Sequence, residues 1–135
     1  MQNILYDTLF LRESYKGMDN NQSKGNKGEE IAAGELVKKG YSIVERNWRF
    51  RRWEVDIIAS KGRFLHFIEV KTRHSLRYGQ PEESITRDKM NNLRNAAEEY
   101  QYQNPDWQYI QFDVVAITII NEEVKEIFVI EDVYF

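Results

Sequence analysis

Two strand-like apolar runs joined by a glycine-containing tetrapeptide, WEVDIIA, SKGR and FLHFIEVKTR over residues 53–73, leave little room for anything but a β-hairpin. Inside those runs stand Asp56, Glu69 and Lys71. Charges in the middle of a sheet are costly to desolvate unless something pairs with them. Side chains alternate along a strand, so Glu69 and Lys71 share a face. A two- or four-residue loop at SKGR sets Asp56 opposite Phe67 or Glu69, and either register puts all three charges on one face. A three-residue loop would send Asp56 to the other side.

The rest of the chain supplies layers around that hairpin. GEEIAAGELVKK (28–39) reads as a helix stopped by Gly40. On a 100° wheel Ala32, Ala33 and Leu36 form its inner stripe, with Glu29 in the middle, Glu30 at the margin and Glu35 pointing away. YSIVERNWRF (41–50) reads as a strand with a basic end. A loop with Gly79 and Pro81 leads to a helix from about Arg87 to Tyr102, capped by Thr86, with Met90, Leu93, Ala96, Ala97 and Tyr100 as its buried stripe. Two more strands follow, YIQFDVVAITII and VKEIFVI, the first apolar enough to be central. The order is α-β-β-β-α-β-β, with a parallel strand-helix-strand crossover from FIEVK to FDVVA. Residues 1–24 show no clean periodicity and read as a flexible arm, within which Met18 is an alternative start; residues 25–135 make one domain.

Without cysteine, disulfides, thiolate metal sites and thiol catalysis are excluded. No apolar run is long enough to span a bilayer, and the N-terminus lacks the pattern of a secretion signal, so no membrane partner and a cytoplasmic location are expected. The net charge of -3 hides an asymmetry. Residues 46–94 carry 12 Lys/Arg against 6 Asp/Glu, whereas residues 95–135 carry 1 against 9. Positive charge therefore collects around the hairpin, as on a phosphate-facing surface, although a solvated strand edge would look the same. Arg46, Arg49, Arg51 and Arg52, interleaved with Trp48, Phe50 and Trp53, suit phosphate contacts with aromatic stacking on bases; Thr72 and Arg73 follow Lys71 directly. His66 alternates onto the face opposite Glu69 and reads as a packed or surface histidine, while His74 lies nearer the acids.

Acids converging beside a lysine, with only two histidines in the chain, suit a hard divalent cation such as Mg²⁺ or Mn²⁺. Such a cation offsets carboxylate repulsion, polarises a scissile phosphate and lowers the pKa of an attacking water. The same charges could instead form a buried structural ion pair.

Asp56 followed on the next strand by Glu69-Val70-Lys71, behind a helix bearing Glu29, resembles the core of the PD-(D/E)xK nuclease superfamily. More closely, GEEIAAGELVKKGYSIVERNWR, EVDIIA, FIEVKTR, YGQPEESITRDK and FDVVAI resemble, in order, the YraN-type (UPF0102) family of predicted endonucleases, itself similar to archaeal Holliday-junction resolvases; the resemblance covers roughly residues 25–133. It implies a restriction-endonuclease-like three-layer α/β/α sandwich with a central mixed sheet. It also implies that Glu29, Asp56 and Glu69 hold a metal or its water, with Asp56 and Glu69 as the ligands, and that Lys71 is the catalytic lysine. The implied activity is metal-dependent hydrolysis of phosphodiester bonds in DNA, branched or single-stranded; the related resolvases work as dimers, which makes a homodimer possible here, although the sequence carries no interface signal. The alternative is a non-catalytic nucleic-acid- or partner-binding module on the same fold. Trp53 stands where the family usually has Gly, which would narrow access to the site, and Gln111 stands where it usually has Arg.

Overall fold

A computed structural model describes residues 2–4, 24–75 and 86–133, with side chains from residue 27 onward. The loop containing Gly79 and Pro81, and Met18, lie outside the described residues. The elements are β1 (Gln2–Ile4), α1 (Lys24–Lys38), β2 (Ser42–Phe50), β3 (Trp53–Lys61), β4 (Phe64–Arg73), α2 (Arg87–Gln103), β5 (Tyr109–Ile120) and β6 (Glu123–Ile130). One mixed sheet runs β1-β6-β5-β4-β3-β2, with β4 and β5 parallel and every other pair antiparallel. The β4-α2-β5 crossover is therefore the one expected from the sequence. β1 is an addition, since three residues of the stretch read as an arm pair with β6.

Helices cover both faces, giving three layers. Ile31, Ala32 and Leu36 of α1 pack with Ile57, Ala59, Ile68, Val115 and Ile117 on one face. Met90, Leu93, Ala96, Ala97 and Tyr100 of α2 pack with Val55, Ile58, Leu65 and Phe67 on the other. The buried stripe of α2 is the one its spacing dictates, and Thr86 caps it by accepting from the Lys89 backbone N–H at 3.1 Å. Phe67 is fully buried between α2 and the sheet, worth about 2–3 kcal/mol of transfer free energy.

α1 departs from its expected wheel. Glu35 is only 4% exposed, because Ile31, Gly28 and Ala33 are buried as well and the buried arc spans more than half the helix. The Glu35 carboxylate lies 3.8 Å from Lys39 Nζ, and burial pushes its pKa upward against that attraction. Gly40 stops the helix with φ +93°, a conformation that favours glycine.

Candidate active site

The β3–β4 hairpin closes with the two-residue loop Gly62-Arg63, Gly62 taking φ +60° at the first position, as glycine can without steric cost. Ladder pairs run from Lys61–Phe64 to Ile57–Ile68, and there they stop. One step further Asp56 stands across from Glu69, but its side chain takes over from the backbone: Asp56 Oδ2 accepts the Val70 N–H at 2.8 Å. A carboxylate has become part of the junction between two strands that are parting.

The reason lies on the neighbouring strand. Strict alternation would place Val55 on the same face as Ile57, yet Ile57 packs under α1 and Val55 under α2. β2 changes face in step, for Arg46 pairs with Glu30 of α1 whereas Trp48 packs toward α2. Asn47 lies between them with φ +52°, one of the few residue types that enters the left-handed region readily. Paired residues flank the break as Arg46–Ile57 and Trp48–Val55, so Asn47 and Asp56 face each other at its centre. Asp56 can thus be approached from both helix layers.

A cavity of about 520 Å³ opens at this point. Glu29 reaches it from α1, Arg52, Glu54 and Asp56 from the β2–β3 hairpin, Glu69, Lys71, Thr72 and His74 from the end of β4, and Lys89 and Asn92 from α2. The four residues expected to carry chemistry are therefore brought together. Asp56 and Glu69 share a hydrogen bond; burial, then the Glu69 charge, push the Asp56 pKa up to about 7 against the Val70 N–H. Glu29 moves upward too, through burial and then the Asp56 charge, while Asn47 and Arg46 oppose. Its Oε2 is buried with no hydrogen-bond partner among the described residues. Lys71 Nζ lies 3.9 Å from Glu69 Oε1, and its pKa is lowered by burial, then by the hydrogen bond and charge of Lys89.

No group of three His, Asp or Glu side chains among the described residues is arranged as a ready-made metal cage. What converges is an oxygen pair, Asp56 and Glu69, whose mutual repulsion helps push the Asp56 carboxyl upward, beside a buried Glu29 oxygen without a hydrogen-bond partner among the described residues. That donor chemistry fits a hard divalent cation, which typically takes one or two carboxylates and fills the rest of its shell with water or phosphate oxygens.

The residues expected to meet phosphate divide into two groups. Arg52 and Thr72 line the cavity, and Arg49 and Arg51 flank it on the exposed hairpin tip. Arg49 pairs with Glu54 at 3.3 Å and Arg51 lies 5.3 Å over the Phe50 ring. Arg46, by contrast, is engaged with Glu30, and Arg73 bonds Thr118 Oγ1 at 2.9 Å and approaches Glu126, away from the cavity. Trp53 does not narrow the entrance: its ring stacks on Phe50 at 6.2 Å and packs toward the α2 core, outside the cavity lining. Gln111 donates to Asp113. Asn47 and Asn92 escaped the sequence reading; an Asn inside a strand-like run was the available signal for Asn47.

Gly28 fixes the distance between α1 and β4. A Cβ there would run into Thr72 Oγ1, so Gly28→Ala must push the helix, and with it Glu29, off the strand. We expect Gly28→Ala to destabilise by about 1–2 kcal/mol despite the better helix propensity of alanine. The Gly28→Ala/Thr72→Ala double variant should recover most of that loss in a denaturation cycle, because the obstructing oxygen is gone.

Known proteins share the segment that builds this cavity. The profile described as "Uncharacterised protein family UPF0102" matches residues 28–117, from the foot of α1 into β5. The chain is similar to a UPF0102 protein of Chloroherpeton thalassium, 41% identical over 125 residues covering 87% of this chain and 97% of the relative. It is similar also to UPF0102 proteins of Chlorobaculum tepidum (48% identical, covering 76% of this chain and 81% of the relative) and Rhodococcus opacus (45%, covering 76% and 87%). Among the described residues no helix is long and apolar enough to cross a membrane.

Proposed function

The chain belongs to the UPF0102 family, of the YraN type, and from that footing we propose that it is a Mg²⁺- or Mn²⁺-dependent endonuclease that hydrolyses phosphodiester bonds in DNA. The observation that carries this reading is the Asp56–Glu69 pair, two carboxyls held together at the parting of β3 and β4 beside Lys71. Asp56 and Glu69 would hold the cation, with Glu29 supporting it from α1. When bound, the cation polarises the scissile phosphate and stabilises the negative charge that develops there.

The remaining work falls to the protein's own side chains. Lys71 Nζ, pushed toward the neutral form by burial and by Lys89, holds the attacking water in line and can accept its proton. As the new P–O bond forms and the bond to the leaving oxygen breaks, Arg52 and Lys89, which both line the cavity, neutralise the phosphoryl oxygens. Trp48, Phe50 and Trp53 stiffen the hairpin that presents Arg49, Arg51 and Arg52, which supports a nucleic-acid strand running past the cavity over that tip. A homodimer would present two such sites to a branched substrate.

The test is cleavage of linear, flapped and four-way DNAs with Mg²⁺ or Mn²⁺ by the wild type, Asp56→Ala and Lys71→Met. Metal-dependent cutting confined to the wild type is expected; cutting that survives both substitutions would sink the assignment. The basic tip has its own signature. Arg51→Gln/Arg52→Gln should weaken DNA binding about equally across sequences and flatten the log-affinity against log-salt slope by about 1–2. Titrations at several salt concentrations read it directly.

A further inference from the structure

We propose, on the footing of the metal-dependent site above, that Lys89 is the resident counter-ion of the carboxylate pair, set by α2 to compete with the divalent cation for Glu69. Glu69 Oε1 is faced by two ammonium groups, Lys89 Nζ at 3.5 Å and Lys71 Nζ at 3.9 Å. They are not equivalent. Lys71 leaves the same strand two residues on, its side chain 24% exposed, and lines the cavity. Lys89 comes from the helix layer packed on that sheet, near the start of α2, on a side chain 48% exposed. A flexible four-carbon stem lets that ammonium swing out while α2 stays in place.

The ion pair therefore occupies, electrostatically, the position that a metal would take. A dication arriving at Glu69 and Asp56 must displace Lys89 and is repelled by it, so Lys89 weakens metal binding. Once displaced, the same ammonium remains at the cavity wall beside Asn92, one turn along α2, where a substrate phosphate would meet it. Lys89 is thus a positioning residue for the carboxylates before the metal arrives and a phosphate contact afterwards.

Calorimetric titration with Mn²⁺ alone, without DNA, tests this at neutral pH and low salt. Lys89→Gln should bind Mn²⁺ about three- to tenfold more tightly than the wild type, the scale of one screened ion pair plus relief of its repulsion of a dication. Lys89→Arg should stay near the wild type. The backbone cap survives either change, since Thr86 accepts from the Lys89 main-chain N–H. At 0.5 M salt, where the screening length falls to about 4 Å, the gap between Gln variant and wild type should narrow. Mn²⁺ binding by the wild type that is unchanged or weaker in Lys89→Gln overturns the role of Lys89 and leaves the metal site standing. Failure of both proteins to bind Mn²⁺ at millimolar concentration overturns the metal site, and the competition with it.

Discussion

Asp56→Asn should stabilise the metal-free protein at pH 8 and, in the same molecule, lower metal-dependent cleavage by on the order of a thousandfold. The two effects share one cause. The Asp56 carboxyl is pushed from 3.8 up to about 7, first by burial and then by Glu69, so its ionised form is strained in the folded state. Between those values the folded chain holds a proton that the unfolded chain has released, and stability falls as pH rises. The contribution is complete below pH 3.8 and lost as pH passes through about 7. Each pH step of one across that window is worth at most about 1.4 kcal/mol. Removal of the charge should therefore return about 1–3 kcal/mol at pH 8 and almost nothing at pH 4. Asparagine keeps an oxygen for the Val70 N–H, so the junction of β3 and β4 survives. Asp56→Ala lacks that oxygen, leaves the amide unsatisfied and should fall below the Asn variant at every pH. Thermal or urea unfolding across pH in the presence of a chelator gives the first half, and cleavage rates give the second. A residue kept at a cost to stability, whose loss silences the reaction, is the signature of a functional carboxylate and not of a structural ion pair.

The second large effect is purely structural. His66 Nδ1 and Asp113 Oδ2 lie 2.6 Å apart, at 5% and 0% exposure, joining β4 to β5 under α1. Asp113 Oδ1 accepts from Gln111 and from the Asp132 N–H, each at 3.0 Å, and thereby ties the segment after β6 to the sheet. Tyr41 packs edge-on against the His66 ring at 4.9 Å and donates to Glu131 at 3.0 Å. His66→Phe leaves a fully buried carboxylate short of a partner, and Asp113→Ala strands three donors. Either should cost about 3 kcal/mol or more. The Asp113→Ala/His66→Phe pair removes both partners and should cost much less than the sum of the single changes, with a coupling of about 1–3 kcal/mol in a urea-unfolding cycle. Equal and additive losses would contradict the pairing.

How much of this was legible beforehand depends on whether the information is local. The α2 stripe and its Thr86 cap were readable because periodicity and capping act within a few residues. The β3–β4 register was readable because a short loop fixes parity, and Gly62 marked the loop. The His66–Asp113 pair was not, since its partners are 47 positions apart and meet only once β4 and β5 lie parallel. Glu35 was assigned to solvent from a stripe drawn too narrowly; Ile31, one turn earlier, already widened it. The site was the most instructive case. Period-two counting brought Asp56, Glu69 and Lys71 to one face, and they do meet, but at a place where period two fails. Asn47 in the left-handed region turns β2, β3 turns with it, and Asp56 comes within reach of both helices. Local sequence-pattern conflict at a charged residue is what a functional site leaves behind.

Trp53 shows the opposite limit. Its identity suggested a narrowed entrance, but its direction follows from the same change of face, which sends the ring toward Phe50 and the α2 core. The cavity is lined instead by Arg52 and Lys89 among others.

The most direct test of the central claim, that the Asp56–Glu69 pair is a cation site, is anomalous diffraction from crystals soaked in Mn²⁺. A peak between the Asp56 and Glu69 carboxylates, lost in Asp56→Asn, is the expected result. Crystals whose maps show those carboxylates still sharing a hydrogen bond, with no anomalous peak beside them at saturating Mn²⁺, would contradict it.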